Sequence, residues 1–299
     1  MKYIDLQKLN NPVSRIIFGT SIGPMCDGRG AEDVLDAVYA EGVNTFDTAR
    51  VYGESERCLG KWIKDRGVRD KVNIITKGCH HDENGSRVTP EHLIRDIETS
   101  LMSLGTDYID IYLLHRDDVS QPADAVIDAL NRLQRQGKIL CFGASNWTHS
   151  RIAEANSYAR DTLQNGFTVS SPGFSAAKRI FDPWGGSVDI SGDGEAQEWY
   201  AANKMPVLAY SALARGYLSG KLSSGQNLTD VFGPGAPLEY DCPENTEQLR
   251  KLEREAAENG ITIAQAALLW LLRGQMTVCP IISPTKPEHI SSAAAVFDL

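Results

Sequence analysis

Eight short apolar runs alternate with helical segments along almost the whole chain, and this rhythm restricts the fold more than any single motif. The runs are Val13 to Gly19, Asn44 to Ala49, Val72 to Gly78, Tyr108 to His115, Ile139 to Ser145, Phe167 to Ser171, Pro206 to Ser211 and Thr277 to Ser283. Helical patterns follow at Ala31 to Glu41, Glu54 to Asp65, Thr89 to Leu104 and Pro122 to Gln136, the third opening on a Thr-Pro-Glu cap signature. Most strand cores are apolar throughout, as burial on both faces requires, so the strands are expected to pair in parallel. An open doubly wound sheet would carry a glycine fingerprint after its first strand, and none is present. A closed barrel needs about 250 residues plus insertions, and the 299 residues supply them. The expectation is an α/β fold of the (β/α)8 TIM-barrel type, one domain over residues 1–299. Two glycine- and proline-rich stretches, Pro172 to Gly194 and Ala212 to Asn245, follow the sixth and seventh strands as enlarged loops, expected to wall the catalytic face.

On such a barrel the C-terminal strand ends carry the chemistry. Asp47, Lys77, His115 and Ser145 all fall there, and Tyr52 lies in the loop beyond Asp47. One polar residue in a loop would mean little, since that is where most charged residues lie. Four complementary types at three consecutive strand ends are a different matter. A phenol titrates near ~10, so it serves as an acid–base group only if its anion is stabilised. An ammonium beside it would do that, and a carboxylate would hold the ammonium.

Composition removes other classes. Hydrophobic residues make up 42% and charged residues 23%, which excludes a disordered chain. A net charge of -9 argues against a nucleic-acid-binding surface. Met1 to Leu9 lack the pattern of a secretory leader, and the most apolar stretch, Ala264 to Leu272, is too short to span a bilayer. Six scattered cysteines with no Cys-x-x-Cys pair read as free thiols, so a cytoplasmic protein away from the membrane is expected.

Longer motifs then bring in a resemblance. Phe46-Asp47-Thr48-Ala49-Arg50-Val51-Tyr52-Gly53, Thr106 to His115, Gly137-Lys138-Ile139 leading to Gly143-Ala144-Ser145-Asn146, Ala209 to Leu213 and Ile281 to Glu288 stand in order. Together they resemble the aldo-keto reductases over nearly the whole length. The resemblance implies hydride transfer between a nicotinamide and a carbonyl or alcohol. In it Tyr52 gives or takes the proton, Lys77 lowers the phenol's pKa, Asp47 pairs with Lys77, and His115 orients the carbonyl. It also implies a cofactor lying across the barrel mouth. Gly19, Thr20 and Asp47 would lie beside it, Ser145, Asn146 and Ser171 near its carboxamide, and Tyr210 against the nicotinamide ring. Ser211, Leu213 and Arg215 would touch the pyrophosphate, and Ser283, Thr285, Lys286 and His289 the adenosine end. A lysine at 286 favours NADPH over NADH by charge.

The chain departs from the family pattern in places. Val169-Ser170-Ser171 replaces a glutamine on the sixth strand, His289 replaces another, and Ser292-Ala293 replaces a glutamate-asparagine pair, so either weaker cofactor binding or compensation by other side chains is expected at the adenine end. The chain stops at Leu299 soon after its last helix, which implies an open pocket and a broad or large substrate. His80-His81-Asp82-Glu83 has metal-ligand composition, but neighbours in sequence cannot all converge on one ion, and no metal site is expected. Gly216 to Lys221 mimics a phosphate loop one residue short, with Leu222 where a hydroxyl is needed. Trp147 and Trp184 are equally readable as pocket lining or packing. The expected activity is NADPH-dependent reduction of a small aldehyde or ketone, or its reverse. The alternatives are a cofactor-sensing binding protein of the same fold, as some relatives serve as channel subunits, and an oxidoreductase acting on a sugar-like alcohol. Oligomeric state is not readable from the sequence.

Overall fold

In the computed structural model, which describes all 299 residues, the eight apolar runs lie side by side in chain order. They form β3 (Ile17–Gly19), β4 (Thr45–Asp47), β5 (Asn73–Gly78), β6 (Ile109–Leu114), β7 (Ile139–Ser145), β8 (Ser170–Ser171), β9 (Val207–Ala209) and β10 (Val278–Ile282). Every pairing is parallel, and β10 bonds to both β9 and β3, closing the barrel. The (β/α)8 expectation holds.

The first run needs a correction. Val13 to Gly19 is not one strand: Val13–Ser14 (β2) pairs antiparallel with Tyr3–Ile4 (β1), and the barrel strand begins at Ile17. Ser14 causes the break. Its N–H donates to Asn44 Oδ1 and Thr45 Oγ1, and its hydroxyl donates to the Ile16 carbonyl, which turns the chain between the two pairings.

Period-2 alternation sorts the strand side chains into two cores. Ile17, Ile75, Ile111, Leu113, Leu208 and Ile281 fill the barrel interior together with Cys141 and Cys279. Phe18, Phe46 and Ile74 face outward and pack with helix residues such as Leu59 and Trp62. Each such fully buried side chain stabilises by roughly 1.5–3 kcal/mol. Ile4, Leu6 and Leu9, from the N-terminal hairpin, pack against the interior core and stopper the end away from the C-terminal strand ends.

Outside the barrel, the helix Ser55–Arg66 crosses Pro90–Leu104 so closely that a Cβ on Gly60 would stand 2.2 Å from the Leu104 carbonyl oxygen. Thr89 caps the second of these helices by accepting from His92 N, with proline in its first turn, as the Thr-Pro-Glu signature implied. The apolar helix Ile263–Leu272 opens on a capping box between Thr262 and Gln265. Ala266 to Leu269 and Leu271 are buried, but Trp270 lies 40% exposed, with its ring 5.7 Å from that of Phe174.

Both enlarged loops are ordered by bonds or packing of their own. Ala214, Tyr217, Leu218, Leu222, Leu228 and Tyr240 build a second small core with the helix Pro243–Asn259. In the other, residues 188–190 return beside Gly173, which bridges Asp189 on one side and Tyr210 on the other. No helix is long and apolar enough to cross a membrane.

Candidate active site

Asp47, Lys77 and His115 leave β4, β5 and the end of β6 on one face, and the turn after β4 carries Tyr52 to them. Lys77 Nζ donates to Asp47 Oδ2 at 2.7 Å and to the Thr48 carbonyl at 2.9 Å. The same nitrogen stands 5.1 Å from the centroid of the Tyr52 ring. His115 meets that ring edge-on at 5.9 Å. Asp47, Lys77 and His115 are buried and Tyr52 is half-buried, so the phenol faces the mouth while the ion pair lies behind it.

Burial and charge set the protonation states. Burial raises the Asp47 carboxyl above its usual range, and Lys77 only partly pulls it back. For Lys77, burial opposes the charge, but Asp47 and Tyr52 outweigh it and the ammonium is held more firmly than usual. Tyr52 is raised by burial, against the pull of Lys77 and with a further push from Asp47. The expected effect of Lys77 on the phenol is present in direction but does not win: without a ligand, Tyr52 stays a protonated phenol. His115 is pushed well down by burial first and by Lys77 second, so it is a neutral imidazole, and its Nδ1 has no partner.

The residues assigned to the cofactor fall into three groups. Ser145, Asn146 and Ser171 lie together at the ends of β7 and β8. Ser145 Oγ donates to the Ser171 carbonyl at 2.8 Å, and Asn146 Nδ2 donates to the His115 carbonyl at 3.0 Å. Asn146 Oδ1 accepts from Tyr210 OH at 2.8 Å and from Val188 N at 3.1 Å, so loop 172–190 is tied to both residues. Ser171 Oγ and Thr20 Oγ1 are buried with no partner. Gly19, at the end of β3, leaves no room for a side chain, since a Cβ would lie 2.6 Å from Ser283 Oγ.

The second group forms the turn after β9. Ser211, Ala214 and Arg215 all have left-handed backbone, at φ 51°, 49° and 51°, which non-glycine residues rarely adopt and which concentrates at ligand-binding turns. Leu213 is the half-buried residue between them. The Arg215 side chain is already engaged, donating to buried Glu239 at 2.5 Å. The third group, Ser283, Thr285, Lys286 and His289, is exposed around the start of the helix Pro287–Ala294, with Lys286 at the N-cap position.

The tryptophans separate. Trp147 is buried packing against Phe167, and its indole donates to the Arg116 carbonyl. Trp184 is 41% exposed at the mouth, 6.2 Å from the Tyr210 ring and 5.4 Å from the Arg215 guanidinium. Two neighbours of the site were not assigned to it from the sequence, where His80 was weighed only as a metal ligand. The His80 ring stands 4.9 Å from His115, and Arg116 is buried immediately after it. Their spacing held the signal, three residues past Lys77 and one past His115. A polar cavity lined by Arg50, Asp82, Arg87, His92, Arg95 and Asp96 contains none of the four site residues. Within it Arg87 pairs with Asp96 and Arg50 with Glu56.

The sequence profile described as "Aldo/keto reductase family" matches residues 15–299. Norsolorinic acid reductase B of Dothistroma septosporum is 27% identical over 285 residues, covering 92% of this chain and 69% of that protein. A probable voltage-gated potassium channel subunit beta of Oryza sativa subsp. japonica is 26% identical, covering 100% of this chain and 92% of that one. Among solved structures, the glycerol dehydrogenase of Gluconobacter oxydans superposes with a TM-score of 0.77 at 25% identity, covering 99% of this chain and 90% of that chain. With a closed parallel barrel, a strand-end cluster of Asp47, Tyr52, Lys77 and His115, and a family match over almost its full length, the chain belongs to the aldo/keto reductase family and is an NAD(P)H-dependent oxidoreductase of carbonyl and alcohol groups.

Proposed function

We propose that the protein reduces an aldehyde or ketone with NADPH, and runs the reverse reaction when alcohol is in excess, with Tyr52 as the proton donor and acceptor. The observation that carries this reading is the buried Asp47–Lys77 pair behind a half-buried Tyr52 whose ring edge meets His115. A reduced nicotinamide, when bound, supplies a hydride to the carbonyl carbon. The oxygen then gathers negative charge, and Tyr52, kept protonated by burial, has the proton it needs. Lys77 stabilises the resulting phenolate, and Asp47 keeps Lys77 charged and in place. Neutral His115 donates a hydrogen bond to the carbonyl oxygen and fixes its direction.

The residues present suit a nicotinamide cofactor. The orphaned Ser171 and Thr20 hydroxyls offer polar contacts in the mouth, and the left-handed turn at 211–215 turns backbone toward a phosphate. Ser145, Asn146 and Tyr210 would hold the carboxamide end. Exposed Lys286, at a helix N-terminus, would take the 2'-phosphate that distinguishes NADPH from NADH. Six unpaired cysteines suit a reducing compartment such as the cytoplasm.

The test is steady-state NADPH oxidation with a panel of aldehydes and ketones, for the wild type and Tyr52→Phe. The substitution deletes one hydroxyl, so NADPH should still bind while kcat falls by about 100- to 10,000-fold. Near-wild-type turnover in Tyr52→Phe would remove the proton-donor role. Tight NADPH binding with negligible turnover of every carbonyl would favour the cofactor-sensing reading, to which the channel-subunit relative lends its name.

A further inference from the structure

Arg116 is a buried cation that the reaction outlined above does not use. It is 9% exposed, forms no ion pair, and its Nε has no hydrogen-bond partner. The single hydrogen bond from its guanidinium is Nη1 to the His115 carbonyl at 3.5 Å, the limit for such a bond. Other arginines around the barrel mouth are engaged: Arg215 with Glu239, Arg151 with Asp117, Arg179 with Ser187. The neighbouring carboxylates are engaged as well. Asp117, its neighbour in sequence, bonds Arg151, and Asp182 accepts from Ser187 and from Trp184 N. A desolvated guanidinium with no ion-pair partner is costly, and a carboxylate on a ligand would complete it.

The position of Arg116 says which ligand. Its backbone is clamped beside the reaction centre, since Trp147 Nε1 donates to the Arg116 carbonyl at 2.9 Å and Asn146 Nδ2 to the His115 carbonyl at 3.0 Å. Burial lowers its proton affinity, while Tyr210, Asp182 and Tyr52 raise it, and its own charge acts on Tyr52, His80 and His115. Nη1 stands 3.5 Å from the His115 carbonyl, which also accepts from Asn146 Nδ2, so the guanidinium lies at the reacting end of the site.

We propose that Arg116 recognises a carboxylate on the substrate, so that the physiological substrate is an oxo acid and its product a hydroxy acid. This rests on the carbonyl reduction proposed above. With Nε enclosed and unpartnered, the Nη groups of the guanidinium are left to meet a carboxylate in a charge-assisted pair. In the reaction the hydride from the reduced cofactor bonds to the carbonyl carbon, the C=O π pair moves to oxygen, and that oxygen takes the Tyr52 proton. The carboxylate passes through unchanged, serving only to hold the carbonyl against Tyr52 and His115.

The test compares 4-carboxybenzaldehyde with its methyl ester, alike in shape and differing in charge. The wild type should prefer the acid by at least about tenfold in kcat/KM, mostly through KM. Arg116→Gln should collapse the acid-to-ester ratio toward one, and Arg116→Lys should restore part of it. Equal use of acid and ester by the wild type, or an unchanged ratio in Arg116→Gln, would overturn the assignment. A second measurement is independent of turnover: calorimetric titration of the NADP-loaded protein with benzoate and with benzamide. Benzoate should bind at least about tenfold tighter, and the difference should vanish in Arg116→Gln. If that discrimination appears while no carbonyl is reduced, the carboxylate site stands and the reductase reading falls. If instead Arg116→Gln weakens NADPH by more than about tenfold, the guanidinium serves a cofactor phosphate and the substrate assignment is overturned.

Discussion

Asp47 and Lys77 face each other at 2.7 Å with side chains only 5% and 3% exposed, so each is the other's nearest compensation for leaving water. Removing one partner strands the other. Asp47→Asn should therefore cost about 3–5 kcal/mol in denaturant unfolding at neutral pH. Lys77, raised in the folded state, contributes stability that is complete below the ordinary lysine value of 10.5 and is lost as pH rises through its higher folded value.

The same pair sets a pH limit on catalysis. With Tyr52 as the proposed proton donor, reduction requires the phenol protonated, and the rate should fall as pH rises through its pKa. Asp47 pushes that value up and Lys77 pulls it down. The alkaline limb of the pH–rate profile should move to lower pH in Asp47→Asn and to higher pH in Lys77→Met. Limbs that move together would show that another group titrates.

Lys286 is exposed at the start of the helix Pro287–Ala294 and has no ion-pair partner in the chain. Lys286→Glu should weaken NADPH by about 1–3 kcal/mol while leaving NADH nearly as it was, because only the former carries the extra phosphate. Fluorescence titrations with the two cofactors read this directly. Equal losses for both would move the specificity elsewhere.

Tyr210 OH donates to Asn146 Oδ1 and lies 3.0 Å from the Val188 carbonyl. Tyr210→Phe leaves the ring but unties the loop, at a cost of about 0.5–1.5 kcal/mol. Hydrogen exchange should quicken in residues 184–190 before it changes in the barrel strands. Unchanged exchange there would mean that the Gly173 bridges and the Val188 N–H bond to Asn146 suffice to hold the loop.

Gly60 offers a test of the frame away from the chemistry. A methyl group there would stand 2.2 Å from the Leu104 carbonyl oxygen, so Gly60→Ala must push two helices apart. The expected loss is about 1–3 kcal/mol, read as a lower urea midpoint with unchanged slope.

The barrel and the Asp47, Lys77 and His115 cluster were legible because periodic burial and strand-end position are local properties of a sequence. Tyr52 was legible through its fixed distance from Asp47. The hairpin of β1 and β2 was not, since the break at Ser14 depends on bonds to Asn44 and Thr45, thirty residues on. Nor was the engagement of Arg215 by Glu239, which is made across an irregular loop that no periodicity describes. His80 and Arg116 were passed over for another reason. Their meaning lies in what they touch or fail to touch, and unpaired burial is invisible until the chain is folded.

The stoppered interior also divides the thiols into two classes. Cys141 and Cys279 belong to the core that Ile4, Leu6 and Leu9 close off, and burial pushes their thiols up to about 11 and about 12. Cys79 is buried and raised likewise, whereas Cys26, Cys58 and Cys242 are only partly covered. Burial raises Cys58 and Cys242 as well, so the division is one of access: an alkylating reagent reaches the partly covered class first and the enclosed class only when the fold opens. The enclosed class becomes a built-in gauge: its labelling rate reports how often the barrel itself comes open.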